Sequence, residues 1–187
     1  MERLQVYLMA IQFSKEEMQE MESMIADFLE RMEIRRDLPI DIFKVAADLG
    51  FDVRGAEFEN QLEGLVIINE NLDKIDGFDS NKVIAYNCFK DIHTKKFIVA
   101  HELAHYISEK TAAYNRKIVV AAREHGEDYS ENCNEQKMDY IAASLLIPRD
   151  DLRRFLESHQ EKSILDVAER YNVSEKMAER RMAEVMV

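Results

Sequence analysis

Residues that break secondary structure or crosslink a chain are scarce in this sequence. Its 187 residues include two prolines, five glycines, two cysteines and no tryptophan. So few turn-forming residues favour helices with short connections over an all-β fold. The two cysteines, Cys88 and Cys133, are too few to hold a secreted domain together by disulfides, and we interpret them as buried or free thiols. We therefore expect a reducing, cytoplasmic location.

Long apolar runs and positive charge are also lacking. The longest apolar runs, such as Ile118–Ala122, reach only four or five residues, far short of the ~18 that a transmembrane helix needs. No signal-peptide pattern opens the sequence, so we expect no membrane association. The sequence has 25 basic and 37 acidic side chains, which gives a net charge of −12. Because this charge repels phosphate, we expect no direct nucleic-acid binding, whereas a basic protein partner would be attracted.

The composition is that of a globular protein, with 47% apolar and 33% charged residues. The length matches the ~100–200 residues typical of one domain. We expect a single domain over residues 1–187, with an N-terminal helix (1–37), a core (38–148) and a C-terminal helical cap (149–187).

Local patterns predict an α+β fold with a small sheet of about three strands. Ser14 and Glu17 form a capping-box pattern before an apolar stripe at helical spacing, which comprises Met18, Met21, Ile25, Phe28 and Met32. Further helices are predicted at Pro39–Leu49, Thr94–Lys110 and Asn132–Ile147, followed by two or three short ones. Strands are predicted at Phe51–Arg54, Leu62–Asn69 and Lys82–Asn87. Strands followed by helices favour an α+β fold over a parallel doubly wound sheet.

The strongest chemical signal is the segment His101-Glu102-Leu103-Ala104-His105. Histidines four residues apart lie on one face of a helix, so both imidazoles can bind one metal ion. Glu102 is rotated by ~100° around the helix from His101, where its carboxylate can reach a metal-bound water without itself binding the metal. Neutral imidazoles suit zinc, and a carboxylate can accept the proton of that water. The motif therefore predicts a zinc site with Glu102 as catalytic base.

A catalytic zinc site needs a third protein ligand and one open position. Carboxylates are abundant downstream, and spacing alone does not choose among them. Glu135 and Asp139 lie four residues apart on the helix predicted to begin near Asn132. One of them could bind the metal while the other orients a histidine through its free ring nitrogen. Alternatively, both are ordinary surface acids of an acidic chain.

Four segments together resemble the ImmA/IrrE metallopeptidases. They are Pro39–Ile42, Leu62–Gly64, Phe97–Tyr106 and Glu135–Pro148. The resemblance runs from about residue 38 to 175. In the last segment this chain has Met138, Asp139 and Ile141 where the family usually has Ala, Asn and Phe. Asp139 preserves the chemistry, since a carboxylate accepts a histidine hydrogen bond at least as well as an amide.

The resemblance implies a thermolysin-like catalytic core, in which a small sheet packs on the helix that carries the two histidines. It also implies Glu135 as the third zinc ligand, one Zn²⁺ per chain and a role in prokaryotic gene regulation. The expected partner is a protein substrate, a helix-turn-helix repressor. Two alternatives stay open: a zinc-containing regulator that inactivates its partner by binding without proteolysis, and one half of a toxin–antitoxin pair.

Weaker patterns give further expectations. His93, His125 and His159 have no partner at motif spacing, and we interpret His125 as a surface residue rather than a group that polarises the substrate carbonyl. Residues 167–178 resemble a helix-turn-helix, but the second helix lacks a basic surface, so we expect a structural pair of helices that does not bind DNA. We also expect residues 124–131 to border the cleft as a gate. An extended substrate would pair with an edge strand, either Leu62–Asn69 or Lys82–Asn87.

Overall fold

The computed structural model describes residues 13–35, 37–58, 62–111, 118–124, 133–158 and 162–185. These residues form seven helices and one four-stranded sheet. The helices are α1 (Lys15–Arg31), α2 (Ile42–Asp48), α3 (Ile92–Thr111), α4 (Cys133–Leu146), α5 (Arg149–Glu157), α6 (Ile164–Tyr171) and α7 (Glu175–Val185), and the strands are β1 (Asp52–Ala56), β2 (Leu62–Asn69), β3 (Lys82–Asn87) and β4 (Ile118–Glu124). The predicted α+β fold is confirmed.

Helix α1 begins where the capping box places it. The Ser14 hydroxyl accepts a hydrogen bond from the Glu17 backbone N–H at 3.1 Å, and the Glu17 carboxylate accepts one from the Ser14 N–H at 2.7 Å. The predicted apolar stripe is buried except for its last member, since Met32 is 43% exposed. Met32 is the C-cap residue, and Leu29 is buried in the last turn instead.

Helix α2 begins later than predicted. Pro39 lies outside the helix and follows a cis peptide bond. Asp41 is the N-cap, and its carboxylate accepts a hydrogen bond from the Lys44 backbone N–H at 3.1 Å. Gly50 follows the helix with a φ of +84°, the left-handed conformation that glycine adopts without strain. The predicted start at Pro39 was wrong, because Asp41 caps the helix and its first helical residue is Ile42.

The sheet has the strand order β1-β3-β2-β4, with β1 parallel to β3 and the other pairs antiparallel. Strands β2 and β3 have their predicted bounds, while β1 is displaced toward residue 56 because Phe51 packs into the core. The additional strand β4 contains the apolar run Ile118–Ala122, which was not predicted as a strand. The expectation that β2 or β3 is an edge strand was wrong, since both are internal, and among the described residues β1 and β4 form the edges.

Helix α3 packs against both the sheet and α4, so it lies at the centre of the fold. Its first turn is capped by Asp91, whose carboxylate accepts backbone hydrogen bonds from His93 at 2.9 Å and Thr94 at 3.0 Å. Ile98 and Leu103 are completely buried. The buried face of α3 therefore fixes the histidine pair against the core.

The last three helices form the C-terminal part of the described chain. Asn172 ends α6 in the left-handed conformation, and the Ser174 hydroxyl accepts a hydrogen bond from the Met177 backbone N–H at 3.3 Å. Helices α6 and α7 pack against each other, which confirms the predicted helical pair. None of the helices in the described residues is long and apolar enough to cross a membrane.

Candidate metal centre

The two histidines of α3 lie side by side, one helical turn apart. Their ring centroids are 5.0 Å apart. His101 is completely buried, whereas the side chain of His105 is 14% exposed. The pair therefore has one protected member and one member that solvent can reach.

Helix α4 places two carboxylates against these imidazoles. Nε2 of His101 lies 3.1 Å from Oε2 of Glu135, and Nε2 of His105 lies 3.7 Å from the same oxygen. On the other side of the His101 ring, Nδ1 lies 2.8 Å from Oδ1 of Asp139. One ligand atom each from His101, His105 and Glu135 lie within 4.8 Å of one another, a grouping that could hold a metal ion.

The imidazoles determine the charge state of Glu135. Hydrogen bonds from His101 and then His105 hold the pKa of the Glu135 carboxyl well below its usual range, although partial burial opposes the shift. The residue is therefore ionised at neutral pH. An ionised carboxylate beside two imidazole nitrogens is a favourable donor set for a divalent cation.

The arrangement fits a metal held by three protein ligands. Two bonds of ~2.05 Å at a tetrahedral angle separate their donor atoms by about 3.3 Å, close to the 3.1 and 3.7 Å between Glu135 and the two histidines. Asp139 contacts the other nitrogen of the His101 ring, so His101 can donate its Nδ1 proton to Asp139 and present the Nε2 lone pair to the metal. Both Glu135 and His105 keep part of the side chain exposed, 21% and 14% respectively.

Glu102 lies between α3 and the sheet. It is completely buried. A Cβ atom added at Gly64 of β2 would lie 3.1 Å from Oε1 of Glu102 and 2.3 Å from Cγ2 of Ile98. The absence of a side chain at Gly64 therefore lets α3 approach β2 and leaves room for the Glu102 carboxylate.

Two residues near the site were missed as contributors by the sequence reasoning. Gly64 was noted only as part of a resemblance, yet a glycine inside a Val/Ile-rich strand signals a close approach. Arg180 of α7 has no local signal. Its Nη1 lies 3.9 Å from Oδ2 of Asp139, and its Nε donates to Oε1 of Glu184 at 2.9 Å.

Among the described residues, the weaker candidates do not belong to the group of possible metal ligands. Nδ1 of His93 lies 3.2 Å from the Asn172 carbonyl oxygen, a contact with the C-terminal helices. Cys88 is a partly buried free thiol, as expected. His125, His159 and the proposed gate beyond Glu124 lie outside the described residues.

A peptidase family model described as the IrrE N-terminal-like domain matches residues 48–183. The chain belongs to the ImmA/IrrE family of metallopeptidases. The match spans His101, Glu102, His105, Glu135 and Asp139 and continues into α7, which includes Arg180. No curated protein and no solved structure matches the chain.

Proposed function

We propose that this ImmA/IrrE protein is a zinc-dependent peptidase that cleaves a specific cytoplasmic protein. The observation that carries the proposal is the convergence of three ligand atoms, from His101, His105 and Glu135, within 4.8 Å. Glu102 lies in the same helical turn as the histidines. Two nitrogen donors and one oxygen donor form a set that zinc uses in hydrolytic sites.

Each residue has one role in this proposal. Bound zinc would polarise the scissile carbonyl and lower the pKa of a water molecule. The Glu102 carboxylate accepts the proton of the attacking water and later delivers it to the leaving amine. Asp139 accepts the Nδ1 proton of His101 and so keeps Nε2 directed at the metal.

Strand β4 is the proposed docking edge for an extended substrate. Gly64, against which Glu102 lies, is paired with Arg123 near the end of β4. Neighbouring strands are ~4.8 Å apart, so a peptide added at the outer edge of β4 would run about two strand spacings from Gly64. Within the described residues, no strand pairs with that outer edge. This replaces the two internal strands favoured by the sequence.

The proposed substrate is a DNA-binding repressor rather than proteins in general. Repressors carry basic surfaces, and a chain with a net charge of −12 attracts them at long range. The test compares cleavage of two proteins at low and high salt: a repressor encoded by the neighbouring gene, and casein. We expect slow casein digestion and repressor cleavage that weakens as salt rises. Rapid casein digestion, or cleavage indifferent to salt, would contradict this specificity.

The variant Glu102→Gln tests the peptidase activity. Glutamine preserves the shape of the side chain but cannot accept the proton, so cleavage should fall by at least ~10²-fold while the fold and zinc content stay unchanged. Repressor cleavage is followed by gel electrophoresis, and zinc by elemental analysis. Undiminished cleavage by the variant would remove Glu102 from the mechanism.

The complete burial of Glu102 favours a second candidate function. A base that water cannot reach in this conformation is compatible with a regulator that inactivates its partner by binding. The same variant separates the two functions in cells. Loss of partner inactivation in Glu102→Gln supports proteolysis, whereas full inactivation by the variant supports binding.

A further inference from the structure

We propose that Arg180 is a positioning residue of the metal site, and that α7 thereby forms part of this site. The proposal rests on the metal site of the proposed function. It extends that site from the motif helices α3 and α4 to the C-terminal helix α7, which the sequence predicts only as part of a structural pair of helices.

Contacts connect α7 to the histidine pair through Asp139. Nη1 of Arg180 lies 3.9 Å from Oδ2 of Asp139, while Oδ1 of the same carboxylate lies 2.8 Å from Nδ1 of His101. The two oxygens of Asp139 thus face different partners. A cation beside Oδ2 restrains rotation of the carboxylate and keeps Oδ1 directed at the imidazole.

Arg180 is itself held in place by a second carboxylate, that of Glu184. Its Nε donates to Oε1 of Glu184 at 2.9 Å, and Oε2 of Glu184 accepts from Nη1 of Arg181 at 3.0 Å. Glu184 and Arg181 are both buried. A guanidinium suits this position because its planar fork can address two carboxylates at once, whereas a single ammonium group cannot do so in a fixed geometry.

A positioning role and a simple charge effect of Arg180 predict opposite changes in zinc affinity when its charge is removed. A positive charge that acted only through space would repel the metal ion, and its removal would strengthen zinc binding. Loss of positioning would instead weaken binding, because His101 would lose part of its orientation. Zinc affinity is therefore the informative measurement, and it is independent of catalysis.

The matched variants are Arg180→Met and Lys176→Met, which remove one positive charge each from the same helix. Lys176 is exposed, and no ion pair within the described residues includes it. Removing a partner of a ligating group costs ~10–100-fold in metal affinity. Arg180 acts one step further out, so we expect about 3- to 10-fold weaker zinc binding for Arg180→Met, an intermediate loss for Arg180→Lys and no change for Lys176→Met.

The experiment is a competition titration of zinc against a chromophoric chelator, with the full chain. A double-mutant cycle adds Asp139→Ala and the Arg180→Met/Asp139→Ala pair. If Arg180 acts through Asp139, the double variant binds zinc as weakly as Asp139→Ala alone, and the Co²⁺ absorption spectrum of Arg180→Met differs from that of the wild type.

Several results would overturn the proposal. They are unchanged or tighter zinc binding by Arg180→Met, additive losses in the cycle, or a loss that only follows a lower urea midpoint of the metal-free protein. If Asp139→Ala weakens zinc binding but Arg180→Met does not, only this inference fails. If the wild type binds no zinc, the proposed function fails as well.

Discussion

Helix α4 carries a buried polar cluster in each half, and the two clusters differ in how their charges are balanced. The metal cluster comprises His101, His105, Glu135 and Asp139, and lies at the N-terminal half. The arginine cluster, at the C-terminal half, comprises Glu22, Tyr140, Ser144, Arg181 and Glu184. Both are built from side chains of separate helices. In the arginine cluster, Arg181 lies between the carboxylates of Glu22 and Glu184. Among the described residues, the metal cluster has a protein cation only beside Oδ2 of Asp139, where Nη1 of Arg180 lies 3.9 Å away.

The arginine cluster satisfies its own charges. Arg181, which is completely buried, forms ion pairs with Glu22 and Glu184 and donates to the Ile147 carbonyl oxygen at 3.0 Å. Burial alone would lower the pKa of Arg181, but the charges of Glu22 and Glu184 outweigh it and raise the pKa. Ser144 and Tyr140 donate to Glu22 at 2.8 and 3.2 Å. Such a cluster connects α1, α4 and α7.

The metal cluster places an ionised Glu135 against the imidazoles of His101 and His105. One ligand atom each from His101, His105 and Glu135 lie within 4.8 Å of one another. We infer that a cluster whose carboxylates share a buried cation is structural, whereas a group of neighbouring ligand atoms is available for a metal ion.

The largest expected effect is on the arginine cluster. Arg181→Met removes the cation that pairs with both Glu22 and Glu184. It leaves the partly buried Glu22 without this ion pair and the buried Glu184 with Arg180 alone, so the free energy of unfolding should fall by about 3–5 kcal/mol. Urea denaturation measures it. Arg154→Met is the control, because the Arg154 side chain is 71% exposed and its loss should cost under about 0.5 kcal/mol. Equal losses in the two variants would contradict the structural role of the arginine cluster.

An intermediate effect is expected where the sheet supports Glu102. In Gly64→Ala the new Cβ would lie 2.3 Å from Cγ2 of Ile98, so helix and strand must separate at a cost of about 1–3 kcal/mol in unfolding free energy. Gly55→Ala on β1 is the contrast, with its nearest atoms 3.3 Å away. Thermal unfolding compares them. A Gly64→Ala variant no less stable than Gly55→Ala would show that α3 does not depend on this close approach.

The smallest effect is expected for a neutral member of the arginine cluster. Ser144→Ala removes one hydrogen bond to Glu22, which keeps its ion pair with Arg181, so we expect a loss of about 1 kcal/mol. The measurement is again urea unfolding, and zinc affinity should not change. A loss as large as that of Arg181→Met would mean that the hydroxyl, rather than the cation, balances the cluster.

Local signals predicted the parts of the fold that depend on neighbouring residues. The capping box at Ser14, the Val/Ile-rich strands β2 and β3 and the spacing of His101 and His105 all encode their structure within a few residues. The structure also brings Glu135 and Asp139 to the histidines, as the helical spacing suggested. Their roles as metal ligand and orienting group stay predictions.

Features that depend on tertiary contacts were not predictable. Strand order arises from pairing between distant segments, so β2 and β3 were mistaken for edge strands and β4 was not recognised. Met32 fits the helical stripe, but the helix ends there and its side chain is 43% exposed. Arg180 reaches Asp139 only because α7 folds back onto α4, an approach that has no signature in the sequence.

The most direct test of the metal site is zinc binding by the wild type and by Glu135→Ala. We expect one zinc per chain in the purified wild type. In Glu135→Ala, loss of the third ligand should leave zinc far more weakly bound, with the metal-free fold unchanged by circular dichroism. Elemental analysis and chelator competition provide the numbers. Wild-type protein without zinc affinity, or a Glu135→Ala variant with unchanged zinc content and affinity, would contradict the proposed metal site.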